Sequence, residues 1–173
     1  MIVQKKIQLK KNAIRFAMIT GAEVNAHALV VLKMTEKIIG QNPQSNKDFL
    51  EKMNERKNPL LILAYLDQKI VGFKFGFEKS RHKFSSSLGG VLPTYRGHGI
   101  ASHMMLLQHE HCFKKMKYRQ IETHSANKYK NMMMLNLKFG FDITGSYVDE
   151  DDCMLKIIFI KTEGLRRPPT LLA

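Results

Sequence analysis

Apolar and polar positions alternate most regularly in KIVGFKFGFE, residues 69–78. Phe73, Phe75 and Phe77 fall on one side there, and Lys74, Gly76 and Glu78 on the other. A period of two predicts a strand with two unlike faces. The compact apolar run PLLILAYL before it reads as another strand, with Asp67 and Gln68 as the turn between them. FSSSLGGVL follows the polar connector KSRHK and reads as a third, ended by Pro93. Upstream, residues 2–9 alternate weakly and predict the first strand of the chain. Glu23 to Ile39 carries Ala26, Leu29, Val30 and Met34 at helical spacing. After the break QNPQS, Asn46 to Lys57 reads as a short polar helix with Phe49, Leu50 and Met53 on one side.

The second half changes rhythm. Ile100 to Met116 has the spacing of an amphipathic helix: Ile100, Met104, Leu107 and His111 form one side, with Ala101, Met105 and Cys112 beside them. His103, Glu110, Lys114 and Lys117 form its wet stripe. RQIETHS is a short strand, and Asn127 to Phe139 a helix stopped by Gly140. FDITGSYVD and DCMLKIIFIKT read as two strands joined by the acidic turn Asp149 to Asp152. No repeat and no linker interrupts this order. It predicts one mixed α/β domain over residues 1–165, with RRPPTLLA, residues 166–173, as a loose tail.

Composition narrows the class. The 173 residues are 44% hydrophobic and 25% charged, as in an ordinary globular domain. Apolar runs such as Ala28 to Leu32 are far too short to cross a bilayer, and the lysine-studded N-terminus has no export-signal core, so a cytoplasmic protein off the membrane is expected. Cys112 and Cys153 leave one disulfide open, though free thiols suit such a compartment better. The formal net charge is +13. Its lysines and arginines are scattered and not gathered on one helix. A solvated basic surface therefore suits it better than a dedicated nucleic-acid site, and a field that attracts a polyanionic small ligand suits it too.

The chemistry concentrates in VLPTYRGHGIAS, residues 91–102, where a strand passes through two glycines into a helix. The first turn of a helix offers backbone N–H groups without intrahelical partners, which is an anion cradle. The turn is neither a G-K-[ST] phosphate loop nor G-x-G-x-x-G, because Ser102 stands at the third position. On the turn alone, a tight ligand-free connection is an equal reading. His109, Glu110 and His111, with His103, lack the spacing of a metal site, and no metal is expected.

Arg96-Gly97-His98-Gly99-Ile100-Ala101 resembles the [QR]-x-x-G-x-[GA] pyrophosphate loop of the GNAT superfamily of N-acetyltransferases. Val91-Leu92-Pro93-Thr94-Tyr95 is similar to the V-x-P-x-Y that leads into it, and Leu137-Lys138-Phe139-Gly140-Phe141 resembles the K-x-G-F that closes the family's last helix. The resemblance spans residues 60 to 161 and implies a mostly antiparallel sheet, flanked by helices and splayed between its fourth and fifth strands, here SSSLGGVL and RQIETHS. It implies acetyl-CoA as co-substrate and direct transfer to a primary amine in a ternary complex. Val91, Arg96, Gly97, His98, Gly99, Ile100, Ala101 and Ser102 would hold the pyrophosphate and the pantetheine arm. Asn127 and Asn131 are alternatives for a cofactor-contacting asparagine, Asn127 preferred because it opens its helix. Glu78 and His124, which shares a strand face with Glu122, are candidate bases. A tyrosine often stands four residues before the family's G-F pair; here it is Asn136, which can hydrogen-bond a leaving thiolate but not protonate it. That departure keeps a non-catalytic acetyl-CoA sensor open, and the charge keeps a ribosome- or nucleic-acid-associated module open. The acceptor amine and the choice between monomer and homodimer are not legible.

Overall fold

The computed structural model describes residues 6–9, 12–40 and 46–164. Residues 2–5 of the first expected strand, the break at 41–45 and the tail at 166–173 lie outside them. The described residues form one eight-stranded sheet. In chain order its strands are β1 (Lys6–Leu9), β2 (Asn12–Thr20), β3 (Leu60–Leu66), β4 (Lys69–Ser80), β5 (Lys83–Val91), β6 (Gln120–Ala126), β7 (Asp142–Val148) and β8 (Leu155–Thr162). The spatial order is β1-β2-β3-β4-β5-β6-β8-β7, antiparallel throughout except for the parallel pair β5–β6.

Helices cover both faces. Helices α1 (Ala28–Ile39) and α2 (Asn46–Asn54) pack on one side, where Val31, Met34 and Met53 meet Leu61, Leu63, Phe73 and Phe75. Helices α3 (Ile100–Glu110) and α4 (Lys130–Lys138) cover the other. There Ile100, Met104 and Met105, with Met132, Met133 and Leu135, meet Phe16, Ile62, Phe84 and Phe159. The alternation in β3 and β4 thus separates two cores, one for each pair of helices. Removal of these side chains from water contributes roughly 25 cal/mol per Å² of apolar surface.

Five expectations need correction. Residues 12–20 form β2, an additional strand that pairs with β1 and β3. The first helix begins as a 3₁₀ turn, Gly21–His27, before it becomes α1. The third helix is α-helical only to Glu110 and continues as a π-type turn, His111–Lys115. On it His103 is not part of a wet stripe: its ring stacks on Phe16 with centroids 4.6 Å apart. The fourth helix starts at Lys130, so Asn127 does not open it; Asn127 sits in the preceding turn, its N–H on the Leu155 carbonyl.

Candidate functional site

The strand-to-helix turn is built by backbone handedness. After the 3₁₀ turn Pro93–Tyr95, Gly97 and Gly99 adopt φ of 79° and 74°, the left-handed region that side chains disfavour. A Cβ at either would meet nothing within 4 Å, so no internal packing demands these glycines. Gly99 stands at the N-cap of α3 and, without a side chain, makes no cap hydrogen bond to the helix N-terminus. The outward N–H groups face a cleft of about 350 Å³ lined by Val91, Tyr95, Arg96, Gly97, Gly99, Ile100, Ala101 and Ser102. Arg96 Nε donates to the Val91 carbonyl at 3.0 Å and His98 Nδ1 donates to the Arg96 carbonyl at 2.8 Å, which ties the loop to the end of β5. The N-terminus of a helix with this opening is an anion site in the making.

Beside it the sheet divides. Strands β5 and β6 pair only at Lys83–Gln120, Phe84–Ile121 and Ser85–Glu122. Thr123 Oγ1 donates to the Ser86 carbonyl at 2.8 Å, the last link before the strands part. From there β5 stays with β4, and β6 with β8. Between Ser86 and Leu88 the β4 register shifts by one residue, so Ser87 is a bulge. The two glycines that follow serve packing: a Cβ on Gly90 would stand 2.5 Å from Ile38 Cγ2 of α1, and one on Gly89 3.1 Å from the Phe73 carbonyl.

A second cleft, of about 440 Å³, opens on the α2 side of the division. It is lined by Glu55, Arg56, Lys57, Phe77, Glu78, Lys79, Ser85, Ser86, Ser87, Glu122 and His124. Glu122 is 5% exposed. Burial pushes its carboxyl up, but hydrogen bonds from Lys79, Lys83 and His124 outweigh that and hold it at about 2. His124 donates from Nε2 to Glu122 Oε1 at 3.0 Å, which leaves Nδ1 to accept from the Tyr147 hydroxyl at 3.0 Å. Glu78 borders the same cleft but is turned away. It pairs with Phe84, so its side chain follows Phe84 to the α3 face of the sheet. There it accepts from Asn58 at 2.6 Å and Tyr118 at 2.9 Å. Those two bonds hold its carboxyl below the usual range.

Between the α3 face and the helices lies a polar interior. Asn136 and Gln108 are both 0% exposed, and neither amide has a hydrogen-bond partner among the described residues. His109 is wedged among Phe113, Phe139 and Phe141, and burial, then Lys161 and Lys74, lower its imidazole to about 3. Lys74 itself is buried, and burial lowers its ammonium to about 8.

The structure therefore brings Val91, Arg96, Gly97 and residues 99–102 around one cleft and His124 and Glu122 into another; His98 is outside the lining of the first, and Asn136 is buried and lines neither. Asn127 bonds Lys130 Nζ through Oδ1 at 2.5 Å and Asn131 is exposed on the first turn of α4; neither lines either cleft. Sequence reasoning missed Lys79 and Lys83, which read as polar connector, and Tyr147, which read as an ordinary strand residue. Their roles arise from contacts across three strands, which no local pattern encodes.

Residues 26–141 match the model of the Acetyltransferase (GNAT) family. No curated protein matches the sequence. Among solved structures, a putative GNAT acetyltransferase from Desulfovibrio desulfuricans superposes with a TM-score of 0.68 at 15% identity, covering 87% of this chain and 99% of its own. Arabidopsis thaliana NAA60, in complex with a bisubstrate analogue, gives 0.67 at 14% identity, over 86% of this chain and 97% of its own. A GNAT acetyltransferase from Elizabethkingia anophelis with acetyl-CoA bound gives 0.61 at 14%, over 85% and 97%.

Proposed function

This chain belongs to the acetyltransferase (GNAT) family, and on that premise we propose that it is an acetyl-CoA-dependent N-acetyltransferase acting on a primary amine in a ternary complex. The observation that carries this reading is the continuity of the uncapped, glycine-formed turn at 97–99 with the parting of β5 from β6. Outward N–H groups at the turn suit a pyrophosphate, and the gap beyond Ser86 suits the pantetheine arm. Acetyl-CoA supplies the activated acyl group. Unpaired β5 backbone near the Ser87 bulge is available to hold the carbonyl oxygen as negative charge develops.

The cleft on the α2 face then receives the amine. Its proton must leave before attack. Tyr147 and His124 form a route for it: the Tyr147 hydroxyl takes the proton while passing its own to His124 Nδ1, and Glu122 stabilises the resulting imidazolium through Nε2. Glu78 is a poor base by comparison, because its two hydrogen bonds favour the ionised form. CoA release against a panel of amines, with products identified by mass spectrometry, tests the assignment. Turnover with at least one amine is expected. The buried amide at 136 favours a second reading, a sensor that binds acetyl-CoA without turnover; tight calorimetric binding with no CoA release from any amine would establish that reading instead. Absence of acetyl-CoA binding would overturn both.

A further inference from the structure

Lys74 is a buried cation on the face of the sheet opposite the amine cleft. It pairs with Gly89 across β4 and β5, and the two residues share that face. Its stem lies in van der Waals range of β5 there: a Cβ on Gly89 would stand 3.4 Å from Lys74 Cγ. The buried carboxylate Glu122 cannot neutralise it, since Glu122 alternates with Ile121 onto the other face and is held by Lys79 and Lys83. The titratable groups that bear on Lys74 among the described residues are the Cys112 thiol and His109, both from α3 and the turn after it. Neither is an anion at neutral pH: burial pushes the thiol up and the imidazole down. An unpaired buried charge is costly and persists only where something uses it.

The second observation is the pair of amides without partners. Gln108 and Asn136 are fully buried, and both ends of each amide lack a partner among the described residues. Groups of that kind await a polar ligand or water. From Val91 at the anion turn to Ser86 at the split, the strand runs about 17 Å at the usual rise. Gly89 lies within that stretch, so an arm anchored at the turn and laid along β5 brings its thiol end past the Lys74 stem.

We propose that Lys74 protonates the departing thiolate of CoA, the task that Asn136 cannot perform. This rests on the acetyltransferase reading above. As the amine nitrogen bonds to the carbonyl carbon and the C–S bond breaks, its electron pair goes to sulfur. Lys74 Nζ gives one proton to that sulfur and becomes a neutral amine, with Gln108 and Asn136 as hydrogen-bond donors around it. The proton lost by the acceptor amine returns to Lys74 through solvent, so the cycle balances without another reactant. An ammonium lowered to about 8 is matched to a thiol of ordinary pKa, about 8.5, which is the condition for efficient transfer.

The test compares CoA with desulfo-CoA by calorimetry at a pH near the free thiol's pKa, alongside kinetics. Wild-type protein should bind CoA about tenfold more tightly than desulfo-CoA, one pKa unit of thiolate preference. Lys74→Met and Lys74→Gln should abolish that preference and lower kcat by about 100-fold with little change in KM for acetyl-CoA. Lys74→Arg keeps the charge but cannot release a proton, so it should keep the preference and lose kcat. Two variants of different polarity guard against a folding defect in one. An identical CoA to desulfo-CoA ratio in wild type and Lys74→Met overturns the role of Lys74 while leaving the acetyltransferase reading intact. Failure of wild-type protein to bind either compound overturns the reading itself, and the inference with it.

Discussion

Two buried titratable groups give the protein acid-sensitive stability in staggered, overlapping windows. The His109 imidazole is lowered to about 3 by burial and by Lys161 and Lys74. Its unfolded counterpart binds a proton near 6.5, so the unfolded state holds more protons between those values. The contribution is fully present above about 6.5 and is lost as pH falls toward 3. Glu122, at about 2, contributes fully above about 4.5 and loses that contribution only as pH falls toward 2. Chemical denaturation across this range should show stability declining first through His109; His109→Phe should flatten the limb between 6.5 and 4.5 and make the one below 4.5 shallower, with only the Glu122 part left. Glu122→Gln should remove the lower limb at a cost on the order of 1 kcal/mol at neutral pH, because Lys79 is half exposed and solvent screens much of its pairing. A profile of His109→Phe identical to wild type would show that the ring is solvated in the native state. None of this was legible in the sequence. His109 was weighed as a metal ligand and set aside, and its burial depends on Phe139 and Phe141, some thirty residues later. Glu122 and His124 were correctly placed on one face by period two, yet the lysines that neutralise Glu122 belong to other strands.

Elements were legible where the residue types alternate or form one compact apolar run, and obscure where apolar and polar residues mix without a period. Strand β4 announced itself through Phe73, Phe75 and Phe77. In β2, Ile14 and Phe16 are buried on one face and Ala17 on the other, and Arg15 lies over the Tyr65 ring at 4.5 Å, so the sequence NAIRFAMIT shows no alternation. The start of α4 was misjudged because β6 runs to Ala126 and the chain turns once before the helix; the Tyr129 N–H on the Ala126 carbonyl closes that turn. The glycines divide by what surrounds them. Gly90 admits α1 to the sheet: a methyl there would meet Ile38 Cγ2 at 2.5 Å. Gly90→Ala should destabilise by about 1–3 kcal/mol, and Ile38→Ala in the same protein should recover part of the loss, a coupling that thermal unfolding of the double mutant measures. Gly99 instead faces open space, so Gly99→Asn, a residue that tolerates positive φ, should keep the fold. Gly99→Asp adds a negative charge at the same place and should abolish acetyl-CoA binding where Gly99→Asn only weakens it. Equal affinities for the two variants, measured by calorimetry, would show that no anion sits at this helix end.

At the scale of the whole molecule the charge acquires a use. A net +13 gives no fold information, but it attracts polyanions over distance, and on the proposed function the glycine turn would give such an anion a place to dock. The same argument makes ligand binding visible as stability. If acetyl-CoA binds only the folded chain, a concentration of about 100 times Kd adds roughly 2.7 kcal/mol. For a domain of this size each kcal/mol moves Tm by about 2–4 °C, so a shift of about 5–11 °C is expected. The docking contribution from the basic field should weaken as salt rises, since the Debye length falls from about 10 Å at 0.1 M to about 3 Å at 1 M. The shift at fixed acetyl-CoA should therefore shrink with added salt, whereas unfolding of the unliganded protein should respond far less, its cores being apolar and its buried ion cluster local. RNA competes for the same field but has no thioester arm to lay along β5. An oligonucleotide that raises Tm as much as acetyl-CoA does, with the same salt dependence and undiminished by Gly99→Asp, would transfer the role of the charge from the small ligand to nucleic acid. Stabilisation by acetyl-CoA that Gly99→Asp removes would instead tie the long-range field and the helix terminus to one ligand.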